Sequence, residues 1–390
     1  MPTRLLVALG TGLLAVATHT LPAQTNEISH LPARPSAVSD AVDRSRALIT
    51  ARQAEHAFPG VSVAVARRGT IVWSEGFGWA DVEQRVAVSA LTRFRVGSVS
   101  KVFCAVAAAV LAERGLLDLD APIQRYVPDF PRKRWDITAR QLAGHLAGVR
   151  HYQEKDGAFI DLRIDSRIYA HPLAGAPHFA SVRDGLAVFE HDPLDFEPGT
   201  RSQYSSYGFN LLGAVVEGAA KEPYLDAVSR LVIEPLGLLS TGADHPFRII
   251  PHRSRFYTNS KELGTLNAAF LDSSYKWPSG GFLSTPQDLV RLLSSLLRPG
   301  FLSPATLEAM FTPQRLANGE SIDVGIGWRI DKDKLGRRRI HHGGTIEGGG
   351  AMVLALADEE VTVAVITNQL PRFSEADATQ IASWFADAAQ

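Results

Sequence analysis

The chain has 390 residues, 45% of them hydrophobic and 21% charged, which is enough apolar mass for a sizeable core and rules out wholesale disorder or a fibrous fold. Forty Lys and Arg stand against 41 Asp and Glu, a formal net charge of −1, so no global basic field exists to hold nucleic acid by counterion release. The single cysteine, Cys104, permits neither an internal disulfide nor a cysteine-based zinc site, so any catalysis rests on other side chains.

Met1-Pro-Thr-Arg4 supplies a positive start, and Leu5 to Val16 is an apolar run broken only by Gly10, Thr11 and Gly12. This pattern predicts an export signal over residues 1–23, with cleavage after Ala17 or Ala23, because the run falls short of the ~20 residues that span a bilayer. A periplasmic or secreted protein with no stable membrane anchor after signal removal is expected, and residues 24–35 read as a linker. Ala37 to Ala57 has helical spacing, with Val38, Val42, Leu48 and Ile49 among charges. Gly60 to Ala66 and Thr70 to Ser74 read as two strands joined by a turn at Arg67-Arg68-Gly69.

From about Leu116 to Ser273 the chain reads as helix and loop, rich in Pro, Gly and His. Ala351 to Leu356 and Val361 to Thr367 are β-rich, and Glu375 to Ala389 closes as an amphipathic helix. The predicted fold class is therefore α+β: an antiparallel sheet flanked by helices, built from both chain ends (about 36–115 and 274–390), with a largely helical inserted lobe at about 116–273. Residues 36–390 are expected to form one two-lobed domain.

Ser-x-x-Lys occurs at Ser98-Val-Ser-Lys101 and again at Ser273-Ser-Tyr-Lys276. Lys101 runs into Val102 to Ala112, apolar on every side as in a buried helix, whereas Lys276 runs into Trp277-Pro278. One helical turn brings Ser98 and Lys101 together, and burial would free the lysine to accept a proton from the hydroxyl. The alternative is that Ser98 merely caps the helix. Further on, Tyr204-Ser-Ser206 follows a turn and precedes an apolar helix running through Glu217, and His341-His342-Gly343-Gly344 precedes the strand at Ala351.

In order, spacing and context these three motifs resemble the signatures of the serine β-lactamase and penicillin-binding protein superfamily: Ser-x-x-Lys, Tyr-x-Asn, and Lys-Thr-Gly or its His-x-Gly form. Leu117-Asp-Leu-Asp-Ala-Pro122, His145-Leu-Ala-Gly148 and Gly280-Gly-Phe-Leu-Ser-Thr-Pro286 look like its class C branch, close to the mitochondrial serine β-lactamase-like protein and its bacterial relatives. The resemblance implies the β-lactamase/transpeptidase-like fold and a serine hydrolase acting through an acyl-enzyme. Its catalytic residues would be Ser98, Lys101, Tyr204 and His341, with Ser206, Gly343 and Gly344 binding substrate. The oxyanion hole would use the N–H of Ser98 and one from about Gly348 to Ala351. No metal and no cofactor are implied, and partners are small-molecule, peptide or ester substrates, with a homo-oligomer open.

Two departures follow. Ser206 stands where Asn is usual, so its bond to Lys101 is expected to be weaker, absent or water-mediated. His341 replaces a permanent cation, which disfavours carboxylate-bearing substrates. The alternatives are a true β-lactamase or D,D-carboxypeptidase, and a non-catalytic binding or filament-forming protein on the same fold. Arg337, Arg338 and Arg339 read as a solvated strand entry, His145 and His151 as structural hydrogen-bonding groups, and Cys104 as a buried inert thiol.

Overall fold

The computed structural model describes residues 36–153, 156, 178–269 and 271–388. The expected signal and linker lie outside the described residues. Helix α1 (Ser36–His56) leads into β1 (Gly60–Arg67) and β2 (Thr70–Asp81). Arg68 and Gly69 both take positive φ (49° and 77°), the two-residue turn that matches the natural twist of a hairpin. The short β3 (Val86–Ala87) follows, then helix α2 (Ser100–Glu113). At the other end of the chain, β4 (Arg329–Lys332), β5 (Arg338–Ile346), β6 (Gly349–Leu356) and β7 (Val361–Thr367) form a meander. These strands make one seven-stranded sheet in the order β3-β2-β1-β7-β6-β5-β4, with antiparallel neighbours throughout. β1 and β7 close the two chain ends on each other, Val63 facing Val365.

Alternation along the strands sorts side chains to the two faces of the sheet. Val61, Val63, Val65, Met352, Leu354 and Leu356 pack with Ala41, Ile49, Ile381 and Phe385 of α1 and the C-terminal helix Glu375–Asp387. Ala64, Ala66, Ile340, Ala351, Val353 and Ala355 face the opposite core with α2, whose residues from Ser100 to Leu111 are all buried. That burial explains why the helix is apolar all round.

Between α2 and the second half of the sheet lie short helical pieces, Ala139–Ala143, Val182–Leu186 and Tyr224–Val228, and the longer helix Ser206–Ala220, which we label α3. This stretch departs from the expected helix and loop where Tyr257–Ser260 and Gly264–Asn267 pair as a β-hairpin and where Gly242–Ala243 pairs with Phe282–Ser284. Four-residue polar strands carry too little alternation to be read from sequence. The second departure is that His341 to Gly344 does not merely precede the strand at Ala351. It is the body of β5, paired from Arg339 to Ile346 with β6.

Candidate active site

Ser98 lies in a single 3₁₀ turn, Gly97–Val99, that delivers the chain into α2. Gly97 takes φ 50°, and a side chain there would strike the backbone of Thr345 at 2.8 Å. β5 presses on this turn from the side, so closely that a Cβ at Gly344 would sit 1.9 Å from the Val96 carbonyl oxygen. Ser98 does not cap the helix: Val99 holds the cap position, and no side-chain cap bond exists.

The hydroxyl has other partners. Tyr204 OH donates to Ser98 Oγ at 2.7 Å, and Lys101 Nζ reaches the same oxygen at 3.2 Å. Lys101 is wholly buried, and its remaining donors go to Ser206 Oγ at 3.1 Å and the Ser279 carbonyl at 2.7 Å. The bond to Ser206 is thus direct rather than absent or water-mediated. Ser206 reaches Lys101 because it is the first residue of α3, with Ser205 capping that helix through Gly208 N–H at 2.9 Å.

Burial pulls the Lys101 ammonium below the ordinary lysine range, outweighing the raising influence of Tyr204. Burial pushes the Tyr204 phenol up, but the Lys101 charge and the surrounding hydrogen bonds prevail and its net shift is downward. A lysine that surrenders its proton more readily and a phenol that does the same share one serine hydroxyl.

His145 and His151 both serve the backbone that carries Tyr204. His145 Nδ1 accepts from Ser205 N–H and His151 Nδ1 from Ser206 N–H, each at 3.2 Å. The His145 ring lies 4.5 Å from that of Tyr204, and His151 meets it edge-on at 5.4 Å. Burial, with Lys101 nearby, holds His145 well below its ordinary value and His151 at about 4, so both rings stay neutral.

The structure does not bring His341 to Ser98. On β5, Ile340 belongs to the α2-facing core and Gly344 abuts Val96, so His342 shares their face while His341 and Gly343 point to the other. His341 Nε2 meets Asp331 Oδ2 at 3.3 Å, and a side chain at Gly343 would strike the Arg372 guanidinium. Asp331, His341 and Glu375 have metal-ligand spacing, but Arg339 occupies both Asp331 oxygens at 2.7 Å. Arg337 pairs with Asp333 and Arg338 with the Phe311 carbonyl, so the basic run is committed locally. Gly350 and Ala351 are paired inside the sheet with Thr367 and Ile366, so the strand segment beside Ser98 is Gly344–Thr345 rather than Gly348 to Ala351. Cys104 is buried and its thiol is pushed up to about 12, too high to ionise readily.

Gly344→Ala is expected to lower stability by about 1–3 kcal/mol and to slow any chemistry at Ser98, because the turn or the strand must give way. Thermal denaturation beside rate measurements checks this, and an unchanged midpoint and rate would show that β5 moves off the turn freely.

His342 was not singled out by the sequence reading. Burial, aided by Lys101, pulls it to about 3. Its unfolded value lies near 6.5, so the unfolded chain binds the extra proton; this stability is complete above about pH 6.5 and drains as the pH falls toward about 3. Between about pH 7 and pH 5 the parent should lose about 2 kcal/mol more than His342→Gln in urea unfolding. Equal losses in the two proteins would mean that the ring is not held neutral.

The fold is that of the β-lactamase/transpeptidase family of serine hydrolases, and comparison with known proteins places the chain more closely. Residues 46–384 match the family model described as Beta-lactamase, and the chain belongs to that family. The human mitochondrial serine beta-lactamase-like protein LACTB is 31% identical over 408 residues, taking in 85% of this chain and 74% of the relative. Esterase EstB of Burkholderia gladioli is 29% identical over 83% of this chain and 86% of the esterase. The D-amino acid amidase of Ochrobactrum anthropi SV3, solved with D-phenylalanine, shares the fold with TM-score 0.74 at 19% identity, covering 90% of this chain and 99% of its own.

Proposed function

We propose that the protein is an exported serine hydrolase that cleaves ester, amide or peptide bonds through an acyl-enzyme on Ser98. The observation that carries this reading is that one hydroxyl, Ser98 Oγ, is reached at once by Tyr204 OH and Lys101 Nζ. A serine hydroxyl is a poor nucleophile until a neighbouring base takes its proton. Here the proton leaving Ser98 passes to the Tyr204–Lys101 pair as Oγ attacks the substrate carbonyl. The same pair returns it to the leaving group, and later it activates the water that releases the acyl group. Ser206 and the Ser279 carbonyl hold the Lys101 nitrogen in place.

The N–H of Ser98 and one from the Gly344–Thr345 stretch would stabilise the oxyanion. Gly344 suits this task because nothing larger fits between β5 and the turn. His342, rather than His341, is the histidine of β5 that faces this side, and its role is to stay neutral beside Lys101. Esters and amides both fit the reading, since an esterase and an amidase stand among its relatives and fold neighbours.

A burst experiment tests it. Rapid mixing with p-nitrophenyl butyrate should release about one equivalent of p-nitrophenol per protein before a slower steady rate, because acylation precedes water-dependent release. Linear release from the first turnover with no covalent species on the protein would overturn the acyl-enzyme.

A further inference from the structure

The second Ser-x-x-Lys match has no part in the mechanism above, yet it lies beside the first. Ser273 is wholly buried and among the described residues its hydroxyl meets no hydrogen-bond partner, so it is no rival nucleophile. Lys276 is different. It is only 7% exposed, yet among the described residues its ammonium meets no hydrogen-bond or ion-pair partner, and the Tyr275 ring lies 5.2 Å away.

The turn Ser274–Lys276 continues into the short helix Trp277–Gly280, whose Ser279 carbonyl holds Lys101. A Cβ at Gly280 would lie 3.6 Å from Lys276 Cδ and 3.9 Å from the carbonyl carbon of Gly97. The lysine stem and Gly97, the residue before Ser98, therefore both flank Gly280. The charged groups around it are Arg95, Lys101, Asp244 and Glu347. Asp244 is already committed to Arg95 at 2.7 Å and Arg253 at 3.2 Å, and Glu347 Oε1 is buried without a partner among the described residues. The tip of Lys276 is not fully enclosed, so it can take an acceptor from water or from a ligand that brings one. Tyr204, just before α3, reaches Ser98 Oγ, and Ser206, the first residue of α3, reaches Lys101. In the mechanism proposed above the Tyr204 side serves the leaving group, which leaves Lys276, beside Gly280 and Gly97, for the acyl portion.

We propose that Lys276 is a specificity-determining residue whose ammonium binds a carboxylate on the acyl portion of the substrate. The proposal rests on the acyl-enzyme reading and names the substrate class for that site. It also replaces the role expected of His341, which faces the other side of the sheet.

The test compares mono-p-nitrophenyl glutarate with p-nitrophenyl butyrate. In Lys276→Met the ratio of kcat/KM, anionic over neutral, should fall at least about tenfold, with Lys276→Gln between. Burial first, then Arg95 and Lys101, draw Lys276 down to about 7 against the pull of Asp244 and Glu347. In the parent the ratio should therefore fall between about pH 6 and pH 9, and in Lys276→Met it should stay flat. A ratio within twofold of the parent, or equal slowing of both esters, in a variant with the parent's thermal midpoint would overturn the proposal. Should the buried substitution prevent folding, a pH-independent ratio in the parent overturns it as well. Affinity of the glutarate ester for Ser98→Ala, which requires no turnover, should weaken at least about tenfold on adding Lys276→Met. If Ser98→Ala instead continues to hydrolyse both esters, the acyl-enzyme fails while the Lys276 ratio is still read on whichever nucleophile acts.

Discussion

Ser98→Ala is expected to slow ester hydrolysis by about 10⁴-fold or more, and Lys101→Met by nearly as much, with the double variant little worse than either alone. The near-equality follows from the geometry. Lys101 Nζ spends its donors on Ser98, Ser206 and the Ser279 carbonyl, so its contribution is made through the serine hydroxyl and has nothing to act on once that hydroxyl is gone. Groups that act as a unit are strongly non-additive, and the residual rate comes from the oxyanion donors and from binding. Steady-state rates of the four proteins check this. Additive losses would show Lys101 working on something other than Ser98. The rising limb of the parent's pH–rate profile should lie below the ordinary lysine range, as the buried ammonium sheds its proton early.

Tyr204→Phe is the second large effect, a loss of about 10²-fold or more in kcat with the fold retained. The phenol donates to Ser98 Oγ at 2.7 Å, the shorter of the two bonds that this oxygen receives. Its ring is held by His145 and His151, contacts that phenylalanine keeps. The substitution therefore removes proton transfer and little else. A purified Tyr204→Phe protein that turns over like the parent across about pH 6–9 would reduce Tyr204 to a packing residue.

How far the sequence could be read depended on the kind of information each element carries. α1, β1 and β7 have the period of their own structure, so their extents are legible, whereas β2 runs on to Asp81, well past the Thr70 to Ser74 that reads as strand. The first Ser-x-x-Lys was separable from the second because Val102 to Ala112 is apolar on every side, which only a helix through the core requires. Ser98, Lys101 and Tyr204, 106 positions apart at the extremes, are brought within hydrogen-bond reach of one oxygen. Their motifs showed which residue types were involved but not the distances.

β5 was illegible for a physical reason. Arg337-Arg-Arg-Ile-His-His-Gly-Gly344 has neither β-branched residues in alternation nor apolar length, and it becomes a strand because β6 and the Gly97–Val99 turn close on it. Which of two adjacent histidines faces the site is then a question of strand parity, and the resemblance alone led to His341 where the register turns His342 inward. Ser206 was judged by the length of its side chain, whereas its distance to Lys101 is fixed by the backbone of α3. Lys276 was set aside because a proline follows it. Its nearness to Ser98 comes from the packing of Gly280 on Gly97, a contact between glycines that leaves no pattern in the sequence.

The most direct test of the central claim is covalent labelling. The parent, treated with a fluorophosphonate and digested, is expected to carry a single adduct on Ser98, and Ser98→Ala under the same conditions none. An adduct that survives in Ser98→Ala, or that maps to Ser273, would contradict the assignment of Ser98 as the nucleophile.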